Sequence, residues 1–525
     1  GKHYKLLASN FNKKNGDGFI VCFYESKANQ RNISRSKAQA DILPDDADLQ
    51  FYLQSNPLEY GLEDVPFISI LPVLWALLQQ KHQDEIQDLI AKSSGGHDIY
   101  LFRLGNMTQL GFSNPDCLRD LYMASEDDAP KYLPPDSIAI KFFGNGLPLS
   151  NGDKWRAHRK LATPAFNKAL SPEIVGETVY EQFDFIQQHS SGQIDLFELM
   201  QRTTIEVLGK LAFGYQFGAK SGRRLVFPLL NKLPTEDNRK FFKAIDEFDE
   251  FIYDIIMEKR NAIENKKGSE NGRIDLVTSM IELSNREGIS TDLKQLRDEM
   301  ASFIVAGHDT TSMGLNTSFY FLAKYPEMQE RARKEVIKIL GNEPIIPTSE
   351  QLEEMKYLIA IIKESLRIYP PATLIVPRKL AKPLKIGSHV VPANVICSAN
   401  LWQIHHNPKY WKNPKQYNPD RFLNGEKIHP FSWIPFSTGP RNWHVPLLIN
   451  NSFNVPLSHQ LISFKFCSIG QNFTLMEQKV ILSMCLLKYK WTLPENSIHK
   501  EKLMLEPNFL LRPIDLKIVF TERNS

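Results

Sequence analysis

Residues 290–323 read as one long helix, and no other run limits so strongly what the chain can become. Its middle carries Ala306-Gly307-His308-Asp309-Thr310-Thr311-Ser312. A glycine inside a helix costs about 1 kcal/mol relative to alanine, so something compensates: close packing, or a ligand lying against the bare backbone. Beside that gap stand a carboxylate, Asp309, and a hydroxyl, Thr310, a pair suited to delivering protons. The plainer alternative is a helix packed through small residues, with threonine bonding back to a carbonyl. His308 reads as a packed or surface histidine, not a metal ligand.

Further helical patterns cover 79–93, 151–165, 175–189, 194–213, 238–263, 326–341, 350–368 and 471–488. Strand-like runs are short: 99–102, 384–386, 390–391, 395–397 and a group within 489–520. The class is therefore mainly α with minor β. Residues 1–55 are polar and aperiodic, and the pattern assigns them no structure. Two stretches look foreign to their surroundings, 219–236 and 443–466; surface insertions of this kind are tolerated cheaply.

A chain of 525 residues, 42% hydrophobic and 23% charged, is globular and large enough to enclose a cofactor. A net charge of +3 makes no case for nucleic acid. Five cysteines (Cys22, Cys117, Cys397, Cys467, Cys485), odd in number and widely spaced, argue against a disulfide framework and suit a reducing compartment. No run reaches the roughly 20 apolar residues that span a bilayer. The stretch 65–78, broken by Pro66, Ser69 and Pro72, would at most lie on a membrane surface.

Other constellations gain weight from their order. Glu364 and Arg367 stand at i and i+3 on one helix face, a pair that is common by chance. Pro370-Pro371 ends that helix, and Val376-Pro377-Arg378 follows. Asn407-Pro408, Trp411, Pro414 and Tyr417-Asn418-Pro419-Asp420-Arg421-Phe422 come next. Arg421 is placed to complete a buried network with Glu364 and Arg367. Upstream, Trp155 and Arg159 lie one helical turn apart, on a face that either binds an anion or is simply solvated. Downstream runs Phe436-Ser437-Thr438-Gly439-Pro440-Arg441-Asn442, then Trp443; a cysteine appears only at Cys467, followed by Ser468-Ile469-Gly470.

In this order, the motifs resemble the cytochrome P-450 family of haem-thiolate monooxygenases, over residues 56–525. The resemblance implies a single large helical domain with small sheets around a buried haem. It is nearest in style to microsomal enzymes that oxidise fatty acids and xenobiotics. It further implies heme b, O2, a small apolar organic substrate and an NADPH-dependent reductase. The family's usual place is the endoplasmic reticulum membrane, although no transmembrane anchor is visible in this chain; otherwise the protein reads as intracellular. By the same resemblance Asp309 and Thr310 guide protons to iron-bound oxygen. Trp155, Arg159, Arg378 and Arg441 pair with haem propionates, and Ala306, Gly307 and Phe436 contact the haem. Glu364, Arg367 and Arg421 hold the proximal side, and a cysteine thiolate ligates iron.

The ligand position is where the chain departs from the pattern. Trp443 stands where the cysteine belongs, and tryptophan has no lone pair for iron. On one reading 443–466 is a real insertion and Cys467 is the ligand, at the end of a long excursion where a tight, rigid site is needed. On the other the segment is translated intron. Removing 444–468 and placing Cys at 443 restores Phe-Ser-Thr-Gly-Pro-Arg-Asn-Cys-Ile-Gly-Gln-Asn-Phe. The codons allow it: Trp and Cys share TG, and a Ser468 codon of the AG type would supply the acceptor and the last base. The competing functions are an inactive or merely haem-binding protein, and an isomerase or dehydratase that needs no oxygen. Asp309 and Thr310 argue against the last, which has no use for a proton relay.

Overall fold

The computed structural model describes residues 4–13, 16–25, positions within 62–79, and residues 81–104, 107–134, 138–189, 192–214, 236–265, 275–289, 292–425, 427–439, 470–506 and 510–523. In chain order the elements begin with β1 (Tyr4–Lys13), β2 (Gly16–Glu25), β3 (Phe67–Ile68), α1 (Gln83–Ser93), β4 (Ile99–Leu104), β5 (Met107–Phe112), α2 (Pro115–Met123) and α3 (Ile138–Phe143). Then come α4 (Gly152–Ala169), α5 (Pro172–Gln188), β6 (Ile194–Asp195), α6 (Leu196–Leu208), α7 (Glu236–Glu264), α8 (Leu276–Glu287) and α9 (Leu293–Lys324). The C-terminal part holds α10 (Pro326–Leu340), α11 (Ser349–Glu354), α12 (Lys356–Ile368), β7 (Arg378–Lys379), β8 (Leu384–Ile386), β9 (His389–Val391) and β10 (Ile396–Ala399). It ends with α13 (Leu401–His406), α14 (Gln471–Lys488), β11 (Tyr489–Thr492) and β12 (Lys517–Glu522). Helices dominate and the sheets are small, as the sequence pattern implies.

The long helix α9 is the axis of the larger core. Asp292 caps its first turn, accepting from the Gln295 amide at 2.6 Å, and it ends before Pro326. It packs against α6, α7, α12 and α14, and its C-terminal half buries Phe319, Tyr320 and Phe321 among Trp491, Phe520 and Tyr417. A five-stranded sheet in the order β3-β4-β5-β10-β7 forms the floor of a second core, with β10 parallel to β5 and antiparallel to β7. β11, β12 and β6 make a three-stranded sheet beside α9, and β8 pairs with β9.

Three differences from the sequence pattern have local causes. The run 350–368 is two helices, because the Glu335 carboxylate of α10 accepts from the amides of Tyr357 and Leu358 at 2.8 and 2.9 Å and starts α12 afresh. The run 194–213 ends in a π-helical turn, Gly209–Phe213, closed by Gly214 at φ 57°. β1 and β2 pair antiparallel from Tyr4↔Glu25 to Lys13↔Gly16, within the segment to which the pattern assigned no structure.

Candidate active site

α9 is buried along most of its length, except in the middle. Residues 301–305 and 311–323 are buried, whereas Ala306 is exposed and Gly307, Asp309 and Thr310 are half-buried. The stretch 306–310 thus interrupts the burial of the helix. The Thr310 hydroxyl donates to the Ala306 carbonyl at 2.6 Å, the back-bond that the sequence allowed. A β-carbon on Gly307 would meet the Leu208 side chain of α6 first, at 3.2 Å, among the described residues. The missing side chain of Gly307 therefore faces α6 and lets the two helices close up. Ala306 and Thr310 are left on the uncovered side.

His308 and Asp309 turn toward α6. The Thr204 hydroxyl lies 2.8 Å from His308 Nδ1, and burial pushes the imidazole down to about 4, so the ring is neutral. His308 is thus a packed histidine, one of the two readings the sequence left open. The Gln201 amide donates to Asp309 Oδ1 at 3.4 Å. Burial raises the Asp309 carboxyl to about 6, against a smaller lowering by Gln201 and the Arg512 charge. Gln201 and Thr204 carry no sequence signal of their own; only the packing of α6 on α9 reveals them.

The three charged residues paired by order do meet. Arg367 Nε and Nη2 donate to the Glu364 carboxylate at 2.7 and 2.8 Å, and Arg421 Nε donates to Glu364 Oε1 at 3.0 Å. The Asn418 amide adds a bond to the same oxygen at 2.9 Å. The remaining guanidinium hydrogens reach the carbonyls of His405, Pro414, Gln416 and Lys412. Both arginines also stack on Trp411. Every charge in the cluster is buried and bonded, so it fixes the chain from 405 to 421 against α12.

Arg378, on β7, is buried and lies over the Tyr122 ring at 4.4 Å from its centroid. Among the described residues no carboxylate pairs with it, and burial lowers its guanidinium pKa. Tyr122 in turn bonds Ser437, and a β-carbon on Gly439 would come within 2.5 Å of the Tyr122 carbonyl. Gly439 also has φ +100°, so only glycine fits there. This brings the Phe436–Gly439 turn against Arg378. Lys131 bridges Arg378 and exchanges two backbone–amide bonds of 2.9 Å with Asn151, the cap of α4. That helix carries Trp155 and the buried Arg159. On the other flank, Thr474 in the first turn of α14 bonds Thr311 at 3.1 Å. Arg441, Trp443 and Cys467 lie outside the described residues.

A family model described as Cytochrome P450 matches residues 65–225 and 222–442. The chain belongs to the cytochrome P450 family. Its relatives include the human ultra-long-chain fatty acid omega-hydroxylase, 29% identical over 79% of this chain and 80% of that protein. The rat Cytochrome P450 4F5 is 30% identical over 79% and 81%. The mouse leukotriene-B4 omega-hydroxylase 3 is 29% identical over 79% and 80%. As a P450, the chain is a haem-dependent monooxygenase. It inserts one atom of O2 into an apolar organic substrate, with electrons from a reductase, and its cofactor is heme b.

The described residues fit that cofactor. Ala306 and Thr310 are uncovered on α9, as a flat apolar ring would require, and Arg378 is a buried cation with no ion-pair contact to a carboxylate among the described residues, Glu126 acting on it only through its field. Among the described residues no helix is long and apolar enough to cross a membrane.

Proposed function

We propose that this P450 hydroxylates a long-chain fatty acid, or a lipid carboxylate like it, at or near the ω end. The observation that carries the reading is that two relatives matched over 80% of their own length bear the names of ω-hydroxylases. The natural setting is the endoplasmic reticulum membrane, with an NADPH-dependent reductase as electron donor and the 65–78 stretch lying on the membrane surface.

Haem b, when bound, supplies the iron at which O2 is activated. Trp155, Arg159, Arg378 and Arg441 would hold the propionates, and Ala306 and Phe436 would flank the ring, whereas Gly307 faces α6. Arg378 would contribute its charge, because the ring it lies over, Tyr122, is neutral at physiological pH. Thr310 gives its own proton to the Ala306 carbonyl, so its oxygen lone pairs remain free to accept a proton or a water on the open side. Asp309, with its carboxyl raised to about 6, is poised to hold a proton near neutral pH and hand it on. Glu364, Arg367 and Arg421 keep the surrounding chain in place. The test is incubation with dodecanoic and longer acids, with mass analysis of the products. A terminal alcohol is expected; oxidation confined to mid-chain carbons would contradict the ω assignment. Thr310→Ala should lower product per O2 consumed by roughly ten-fold or more while O2 uptake persists. Unchanged coupling would remove Thr310 from the relay.

A second reading concerns this exact polypeptide. The family match ends at Asn442, immediately before Trp443, while α14 resumes at Gln471 with Thr474 bonded to Thr311. That combination supports 443–466 as foreign sequence inside an otherwise intact site, and 219–236 is a similar candidate. With the segment present, Cys467 is the available ligand; without a thiolate on the iron this polypeptide would be an inactive or merely haem-binding member of the family. The transcript across the codons for Asn442 to Ile469 decides between the two origins. A message lacking codons 444–468 supports translated intron, and one retaining them refutes it.

A further inference from the structure

On the N-terminal side of the open face, α9 carries two adjacent carboxylates that reach a glycine-rich loop. Asp298 Oδ2 accepts from the Asn145 amide at 2.8 Å, and Glu299 Oε2 accepts from the Leu147 amide at 2.9 Å. The loop lies too close for side chains. A β-carbon on Gly144, at φ +58°, would overlap the Asp298 carboxylate, and one on Gly146 would come within 2.5 Å of the Asp298 carbonyl and collide with Ser302 Oγ. The other carboxylate oxygen of Glu299, Oε1, lies 2.6 Å from Nδ1 of His158, and both side chains are buried. Gln295 closes the group, with its amide nitrogen 2.6 Å from the same His158 nitrogen and 3.3 Å from Glu299 Oε1.

The position of this group gives it a function. Asp298 and Ser302 stand two turns and one turn before Ala306, at four-residue spacing, so they share its face of α9. The loop docks one to two turns before the uncovered stretch of α9. His158 immediately precedes Arg159 on α4, the helix proposed to hold a haem propionate. From this we infer that His158 and Glu299 are positioning residues. They clamp residues 144–147 to α9 as one wall of the substrate space, and tie that wall to the haem-bearing turn of α4. The inference rests on the proposed site, with the ligand an apolar chain carrying a carboxylate.

The test uses the full chain, parent and variants, with two readouts that need no haem. Hydrogen exchange followed by mass spectrometry reports the amides of Asn145 and Leu147, and cis-parinaric acid reports binding of a fatty acid. Glu299→Ala should speed exchange at the Leu147 amide by at least about ten-fold, the equivalent of one lost charge-assisted bond, with exchange at Asn145, bonded to Asp298, affected less and exchange in α14 unchanged. It should weaken probe binding similarly. Glu299→Gln keeps an oxygen for Leu147 and should fall between the two. If Glu299→Ala fails to fold, Gly146→Ala displaces the loop while leaving the His158–Glu299 pair intact, and should also weaken the probe. Unchanged exchange in Glu299→Ala, or unchanged probe binding in Gly146→Ala, overturns the clamp. A parent that binds no probe sinks the fatty-acid reading instead, while the exchange data still decide the clamp.

Discussion

Asp309 and His308 are neighbours in sequence, and burial moves them in opposite senses. Asp309 is raised from 3.8 to about 6, so between those values the folded protein holds a proton that the unfolded chain has released. Stability through this group therefore falls as pH rises across that window. His308 is lowered from 6.5 to about 4, so there the unfolded chain holds the extra proton, and stability rises with pH. The two slopes oppose each other over nearly the same range. Asp309→Asn removes only the first, and its melting temperature should climb more steeply than the parent's between about pH 4.5 and 6.5, as scanning calorimetry would record. Parallel profiles would show that the carboxyl is not raised. The sequence displayed Asp309 and Thr310 plainly, because their spacing around Gly307 is a motif. It did not display Gln201 or Thr204, which reach Asp309 and His308 from a helix a hundred residues upstream. Nor did it display Tyr122, which links Arg378 to the turn at Gly439.

At the level of elements, the Glu364 cluster joins α12 to the segment after α13. Glu364 accepts from two buried arginines and one backbone amide, so Glu364→Ala would strand both guanidinium groups without a counter-charge. A loss of about 3–5 kcal/mol is expected by denaturant unfolding, as for other buried pairs broken on one side. A loss below about 1 kcal/mol would mean that water reaches the arginines and that the cluster does not hold the segment. The helices themselves were largely legible, since apolar periodicity marks them; the caps at Asp292 and Ser171, which set their first turns, were not read. The break at Met355 was not, because the cap for α12 is a side chain on α10. α8 and β5 were missed as well. α8 is short, and β5, Met107–Phe112, takes its place from pairing with β4 and β10, which no local pattern encodes.

For the whole molecule, the order of motifs placed the chain in its family before any contact was known, and the family match over residues 65–442 bears that out. Family and cofactor follow from that match and from the relatives. The thiolate position does not, because the pattern stops at Asn442 and resumes at Gly470. The most direct test is to compare the full chain with a version carrying Trp443→Cys and lacking residues 444–468, both reduced and exposed to carbon monoxide in the presence of haem. The account predicts the absorption signature of a haem-thiolate for the shortened version, together with fatty acid turnover, and neither for the full chain. A thiolate signature from the full chain would contradict it and make Cys467 the ligand. Absence of the signature from the shortened version would contradict it more deeply, since the restored loop should then be complete.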